Sequence, residues 1–254
     1  MITQKTLKYF IPIHRYYFDY KKEKKSLYYK LFWITEVINI QQKNIPWFNK
    51  EEFHTGVIDL SNNIEDIFND FSKTKRNEIR RAEKEGVMYE VVEDFMTEEE
   101  NYRQFYNLFA KDKWLPILQK NHFHWIEKNI VLTKWIKDNM ILVYHLYLID
   151  KNIGKVRLLQ SCSLFRKEKE LKKIIAYGNN GLHFFDIKYF QQWWIQQYDF
   201  WWLYLWTADQ QRVNIDKFKL WFWLDQVLLY NQQKYWIIIN IFNKILYTLW
   251  TKLL

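Results

Sequence analysis

The chain has five glycines in 254 residues and none after Gly181. Glycine takes positive φ and lets backbones approach closely at no steric cost. A fold made from this chain must turn its last 73 residues without it. The same stretch holds nine of the fourteen tryptophans. Trp201, Trp202 and Trp206 stand in "YDFWWLYLWT", and Trp221 and Trp223 in "KLWFWLDQ". The largest side chain therefore sits where short strands and turns are expected.

The length suits one domain over 1–254, with a β-rich extension over 1–49, a core over 50–235 and a strand and helix over 236–254. About half of the residues are apolar and a quarter are charged, which describes a globular chain. The net charge of +9 favours an anionic partner such as RNA, a phosphorylated substrate or an acidic membrane surface, or else reflects a solvated lysine-rich surface. DNA is not among the expected partners. A single cysteine, Cys162, excludes an internal disulfide and a multi-cysteine zinc site, and no metal site is expected. "MITQKTLKYF" lacks the apolar core of a secretory signal. The tail "WIIINIFNKILYTLW" is interrupted by Asn240, Asn243 and Lys244. It reads as a core strand and helix or as a membrane-surface helix. A cytoplasmic place, at most against the inner face of the membrane, is the expectation.

Alternating aromatic, aliphatic and basic residues predict strands over 6–40, turned at "KKEKK". A further strand is predicted over 53–61, ending in residues that cap a helix. From Ile64 the spacing of Ile67, Phe68 and Phe71 is helical; after a polar hinge at "SKTKRN", Ile79 and Ala82 continue one face and Gly86 stops it. "VMYEVVED" reads as a strand. Thr97 and Glu100 form a capping-box pattern for a helix carrying Tyr102, Phe105, Tyr106 and Phe109. Further helices are expected over 122–139, 168–177 and 182–197, with a hairpin over 140–165 between the first two. "YDFWWLYL" and two final segments read as strands. The order predicts a mixed α/β sheet with helices on both faces.

Three stretches carry candidate chemistry. In "SKTKRNEIRRAEKEG", Arg76, Arg80 and Arg81 stand with Lys73, Lys75 and Lys84 on a basic helix. It can grip phosphate, or lie solvated beside Glu78, Glu83 and Glu85. In "RLLQSCSLFR", Arg157 and Arg166 flank Ser161, Cys162 and Ser163 on a predicted strand, and no nucleophile elbow is present. In "AYGNNGLHFFDI", Gly178 and Gly181 bracket Asn179 and Asn180 before a helix, whose N-terminus attracts anions or is simply capped. His183 and Asp186, at i and i+3, can share a face.

These segments occur in an order that resembles the peptidoglycan-bridge aminoacyltransferases of the Fem type and related proteins of the GNAT acyltransferase fold. The matching run is "IDLS…IEDIFNDFSKTKRNEIRRAEKEGV", "FYNLFAKDK", "ILVYHLYLID…KVRLLQSCSLFR", "GNNGLHFFDIKYF" and "YDFWWLYLWT…IDKFKLWFW", covering about 50–235. The resemblance implies a GNAT-like, largely antiparallel sheet and acyl transfer to an amine. Its donor would be aminoacyl-tRNA or acyl-coenzyme A, with no tightly bound cofactor. Its acceptor would be a lipid-linked or nucleotide-linked peptidoglycan precursor. A non-catalytic module that binds an anionic glycan precursor or RNA on the same fold is the alternative.

The resemblance also implies site residues. Lys219 of the "FK" motif and Asp199 of "YDF" would be catalytic. Arg76, Arg80, Arg81, Arg157, Ser161, Arg166, Asn179, Asn180, His183, Asp186 and Lys217 would bind substrate. If "KFKLWFW" is a strand, Lys217 and Lys219 share one face toward the cleft. The family pattern after "YDF" carries glycines where this chain has Trp201, Trp202, Trp206, Trp221 and Trp223. Some bacterial lineages read UGA as glycine, and translating such a gene with UGA as tryptophan gives this pattern. Trp194 and Trp236, with Trp33 and Trp135, are further candidates. The rival reading is a divergent, aromatic-rich protein.

Overall fold

The structure is a computed structural model that describes residues 2–8, 11–18, 34–41, 48–124, 126–165 and 170–234. The chain divides into two compact units, 1–53 with 228–254, and 54–227.

In the first unit β1 (Ile2–Lys8) and β2 (Ile11–Tyr17) pair antiparallel, while β2 and β3 (Ile34–Ile40) pair parallel. The last strand, β10 (Asp225–Lys234), runs antiparallel to β3 from Tyr230↔Ile40 to Lys234↔Thr35. Tyr16, Val37, Ile40 and Tyr230 form its core. Arg15 and Glu36, opposite each other in register, form an ion pair at 2.5 Å. The expected "KKEKK" turn and the tail 236–254 lie outside the described residues.

The second unit holds the end of β4 (Asn49–Asp59), α1 (Ile64–Asp70), α2 (Lys73–Lys84), β5 (Met88–Val92) and α3 (Phe95–Lys111). It continues through β6 (Ile130–Lys137), β7 (Met140–Asp150), β8 (Lys155–Ser163), α4 (Lys172–Gln192), β9 (Gln197–Leu203) and α5 (Gln210–Leu220). Its strands lie in the order β4-β9-β8-β7-β6-β5. All pair antiparallel except β8 and β9, so the sheet is mixed and largely antiparallel. The apolar run of β7 is buried on both faces, as alternation requires of a central strand. On one face the Tyr144 hydroxyl donates to Glu98 of α3 at 2.5 Å. On the other, His145 and Tyr147 meet Asp186 of α4. Helices thus cover both faces. Ile67, Phe71, Ile79, Ile187, Phe190, Tyr198 and Phe222 close the main core.

Several local expectations are corrected. The predicted helix over 122–139 is a 3-10 turn followed by β6, whose β-branched and aromatic Thr133 and Trp135 pair with β5 on one side and β7 on the other. The hinge expected at "SKTKRN" is present and divides 64–84 into two helices, because Phe71 and Ser72 are extended and Ser72 caps α2 on the Lys75 N–H. The third helix starts at Phe95, ahead of the capping-box pattern, with Asp94 accepting from the Met96 N–H. The two helices expected around Gly178 and Gly181 are the single helix α4. These glycines serve close packing: a Cβ at 178 would lie 2.6 Å from the Trp135 indole, and one at 181 would lie 1.9 Å from the Tyr89 hydroxyl. "IDKFKL" is the end of a helix capped by Asp209, not a strand. Lys217 and Lys219 therefore do not share a face.

Among the described residues five tryptophans have left-handed backbones: Trp114, Trp194, Trp201, Trp206 and Trp223, with φ between 54° and 66°. Of the four other non-glycine residues with positive φ there, Asn121, Asp138 and Asn139 are of the types that tolerate it, and Phe18 is not. A bulky residue there is a genuine outlier. Trp114, Trp194, Trp206 and Trp223 are also exposed, so little packing offsets the strain. Among the described residues no helix is long and apolar enough to cross a membrane.

Candidate functional site

Pairing between β8 and β9 runs only from Lys155↔Gln197 to Arg157↔Asp199. Where it stops, buried charges collect. Arg157 Nε donates to Asp199 Oδ2 at 2.9 Å, and the Thr55 hydroxyl donates to Asp199 Oδ1. The Trp201 N–H also donates to Asp199 Oδ1, at 2.7 Å. From the last turn of α5, Lys219 Nζ donates to the Trp202 carbonyl at 2.8 Å. Burial pushes the Lys219 pKa down to about 8, against the upward pull of Asp199 and Asp216. The Asp216 carboxyl accepts from the Tyr204 N–H and is raised by burial. The Trp201 indole lies 5.8 Å from the Arg157 guanidinium.

A cavity of about 490 Å³ is lined from α2, α4, α5 and the far end of β8. Lys75, Glu78, Asn179, Asn180, Phe218 and Trp221 form much of its wall. Lys75 belongs to the basic stretch expected either to grip phosphate or to lie solvated, and for this residue the solvated reading fails. It is 1% exposed, and its Nζ donates to Asn180 Oδ1 at 2.5 Å. The same nitrogen lies 3.6 Å from Glu78 and 3.9 Å from the centre of the Phe218 ring. Burial pushes the Lys75 pKa down to about 8, although Glu78 pulls it up. The signal was present: Lys75, Ile79 and Ala82 fall on the buried stripe of α2. The other wall residue Asn180 donates to Glu78 at 2.8 Å.

Behind the cavity runs a buried polar net. Asn179 Oδ1 lies 2.9 Å from His145 Nε2, and Ser161 Oγ donates to the same oxygen at 3.4 Å. His145 Nδ1 lies 2.7 Å from Asp186 Oδ2, and the Tyr147 hydroxyl donates to that oxygen at 2.5 Å. Tyr147 and Tyr198 hydroxyls pair at 2.7 Å, and Tyr198 meets His183 Nδ1 at 2.9 Å. Burial, with His145, Lys75 and Lys219 nearby, holds the His183 pKa well below its usual range. Ligand atoms of His145, His183 and Asp186 lie within 4.8 Å of one another, the spacing of a metal site. Asp186 Oδ2, His145 Nδ1 and His183 Nδ1 are already engaged with protein groups, as in a core network.

The other predicted residues lie apart. Arg76 Nη1 donates to the Asn69 and Phe71 carbonyls, closing the C-terminus of α1. Arg80 stacks 5.3 Å from the Phe68 ring, and Arg81 donates to the Tyr177 hydroxyl at 3.1 Å. Lys217 is exposed. Cys162 is buried and its thiol pKa is raised. Arg166 lies outside the described residues.

No protein-family model matches the chain, and no curated protein does. Solved structures do. The C-terminal domain (DUF2156) of a putative lysylphosphatidylglycerol synthetase from Agrobacterium fabrum matches with a TM-score of 0.61 at 11% identity, over 92% of this chain and 80% of that one. L-PGS from Bacillus licheniformis matches with 0.56 at 12%, over 91% and 80%. FemX matches with 0.55 at 12%, over 70% of this chain and 61% of its own. The chain thus spans less than two thirds of FemX. At these identities the likeness is one of fold, a GNAT-like mixed and largely antiparallel sheet with helices on both faces.

Proposed function

We propose that the protein is an acyltransferase that moves an aminoacyl or acyl group from an activated donor to an amine in cell-envelope synthesis. The observation that carries this reading is the cavity walled by α2, α4, α5 and the end of β8, on a fold like that of FemX and the lysylphosphatidylglycerol synthetase domain. Parted parallel strands leave backbone N–H and C=O groups that a substrate can satisfy. The buried Lys219 offers positive charge near these strands for a developing oxyanion. Aminoacyl-tRNA or acyl-coenzyme A is the donor, and a lipid-linked or nucleotide-linked precursor with a free amine is the acceptor. The basic chain suits both polyanions. The test is transfer of radiolabel from each donor to a nucleotide-linked peptidoglycan precursor. Label in an acid-stable amide supports the reading. Saturable binding of donor or precursor with no amide product replaces it with a non-catalytic module.

The left-handed tryptophans bear on which molecule is active. Positions 194, 201, 206 and 223 were singled out from the sequence, and all four adopt the backbone that glycine favours. Position 114 joins them. Glycine encoded by UGA accounts for all five. Trp221 is right-handed at the end of α5, so its conformation makes no such demand. The codons decide. UGA at the five left-handed positions supports reassignment, and UGG there removes it.

A further inference from the structure

We propose that Lys75 is the catalytic base on the acceptor side, taking a proton from the substrate's ammonium within the cavity. The inference rests on the acyltransferase reading. An amine reaches the enzyme mostly as an ammonium and cannot attack until it loses a proton. Its lone pair then forms the C–N bond, the donor's C–O or C–S bond breaks, and the departing oxygen or sulfur leaves with a proton. The first proton passes to Lys75 Nζ and from there to solvent.

The placement of Lys75 fits this task. Its side chain is closed off from bulk water yet stands in the wall of a cavity with room for an aminoalkyl group. Glu78 and the Asn180 amide line the same wall, where their oxygens can accept from an incoming ammonium. Phe218 and Trp221 face Lys75 and offer ring faces to a cation. Two titratable groups act around it: Glu78 on α2 and His183 on α4. His183, held neutral, adds no positive charge. A base works best when its own pKa is near the working pH, and burial moves Lys75 to about 8. Lys219 has a similar value, but it does not line the cavity.

The experiment compares the parent chain with Lys75→Arg, Lys75→Met and Lys75→Ala in the transfer assay from pH 6 to 10. In the parent, kcat should rise with pH to a plateau, with a midpoint near 8. Lys75→Arg keeps the charge but cannot serve as a base, so it should lose about a hundredfold in kcat with little change in KM. Methylamine or ethylamine should restore part of the activity of Lys75→Ala. Independently of transfer, p-nitrophenyl acetate should acetylate Lys75 in the folded parent with a half-point near pH 8, read by peptide mass mapping. Lys75→Arg with parental kcat and an unchanged acid limb overturns the proposal and leaves the transferase standing. So does amine rescue that fails while Lys75→Ala is folded by circular dichroism. Absence of transfer from every donor, with Lys75 still acetylated, removes the transferase reading and the base role with it.

Discussion

Lys219 Nζ reaches from the last turn of α5 to the Trp202 carbonyl in β9, 2.8 Å away. The bond fastens the helix to the strand that precedes it. It also places the ammonium in the field of Asp199 and Asp216. Removing it takes away a charged hydrogen bond and leaves two carboxylates less balanced. Lys219→Met should therefore cost about 2 kcal/mol in urea unfolding, besides most of the transfer activity. Lys217→Met, on the exposed side of the helix, should change stability by less than about 0.5 kcal/mol. Equal unfolding midpoints for both variants would mean that the Lys219 bond contributes nothing.

Arg76 belongs to the fold more than to a ligand. Its guanidinium closes the Asn69 and Phe71 carbonyls at the end of α1, where helix carbonyls lack partners. Arg76→Gln should lower stability by about 1 kcal/mol, while Arg80→Gln and Arg81→Gln stay within about 0.5 kcal/mol. If all three leave the melting temperature untouched and weaken anion binding equally, the basic helix is a ligand surface after all.

Backbone conformation separates the tryptophans by sign. At Trp206 and Trp223 the side chain is exposed and φ is positive. Replacing either with glycine should stabilise the fold by about 1 kcal/mol, the left-handed penalty relieved. Trp202 sits in β9 opposite Thr55 and is not among the left-handed residues. Trp202→Gly should destabilise by about 1 kcal/mol through lost packing and chain entropy. Trp135→Gly should cost about 3 kcal/mol or more, because its fully buried ring fills the space against Gly178. The same substitution with the same sign at all four sites would refute the conformational argument.

Apolar periodicity made the larger frame legible. The two-sided burial of β7, the hairpin into β8 and the strand "YDFWWL" all follow from side-chain pattern alone. The failures have particular causes. Gly178 and Gly181 look like loop residues, but they lie inside α4 because Trp135 and Tyr89 come up against the helix there. "VLTKWIK" became a strand because β5 and β7 pair with it on either side. Composition groups Lys75 with the other basic residues of its helix, but its spacing from Ile79 and Ala82 puts it on the buried stripe. His145 attracted no notice within an apolar run, yet it is the member of the polar net that joins Asp186 to Asn179 at the cavity wall. Partners 34 and 41 residues distant cannot be read from local pattern.

The buried lysines set a pH dependence of stability with a definite sign. Lys75 and Lys219 have pKa values near 8 in the fold, against 10.5 for lysine in an unfolded chain. Between these values the unfolded chain binds more protons, so stability rises with pH. Below about 8 both states are protonated and the cost of burying the charge is at its full size. The opposite slope sets in above about 10. There burial keeps Tyr102, Tyr147 and Tyr198 protonated in the fold, while unfolded tyrosines ionise. Urea midpoints should therefore rise from pH 7.5 to about 9.5 and then fall. Lys75→Met removes one of the two buried charges and should reduce the rise by about half. Parallel curves for parent and variant across that interval would show that Lys75 remains an ordinary lysine in the folded protein.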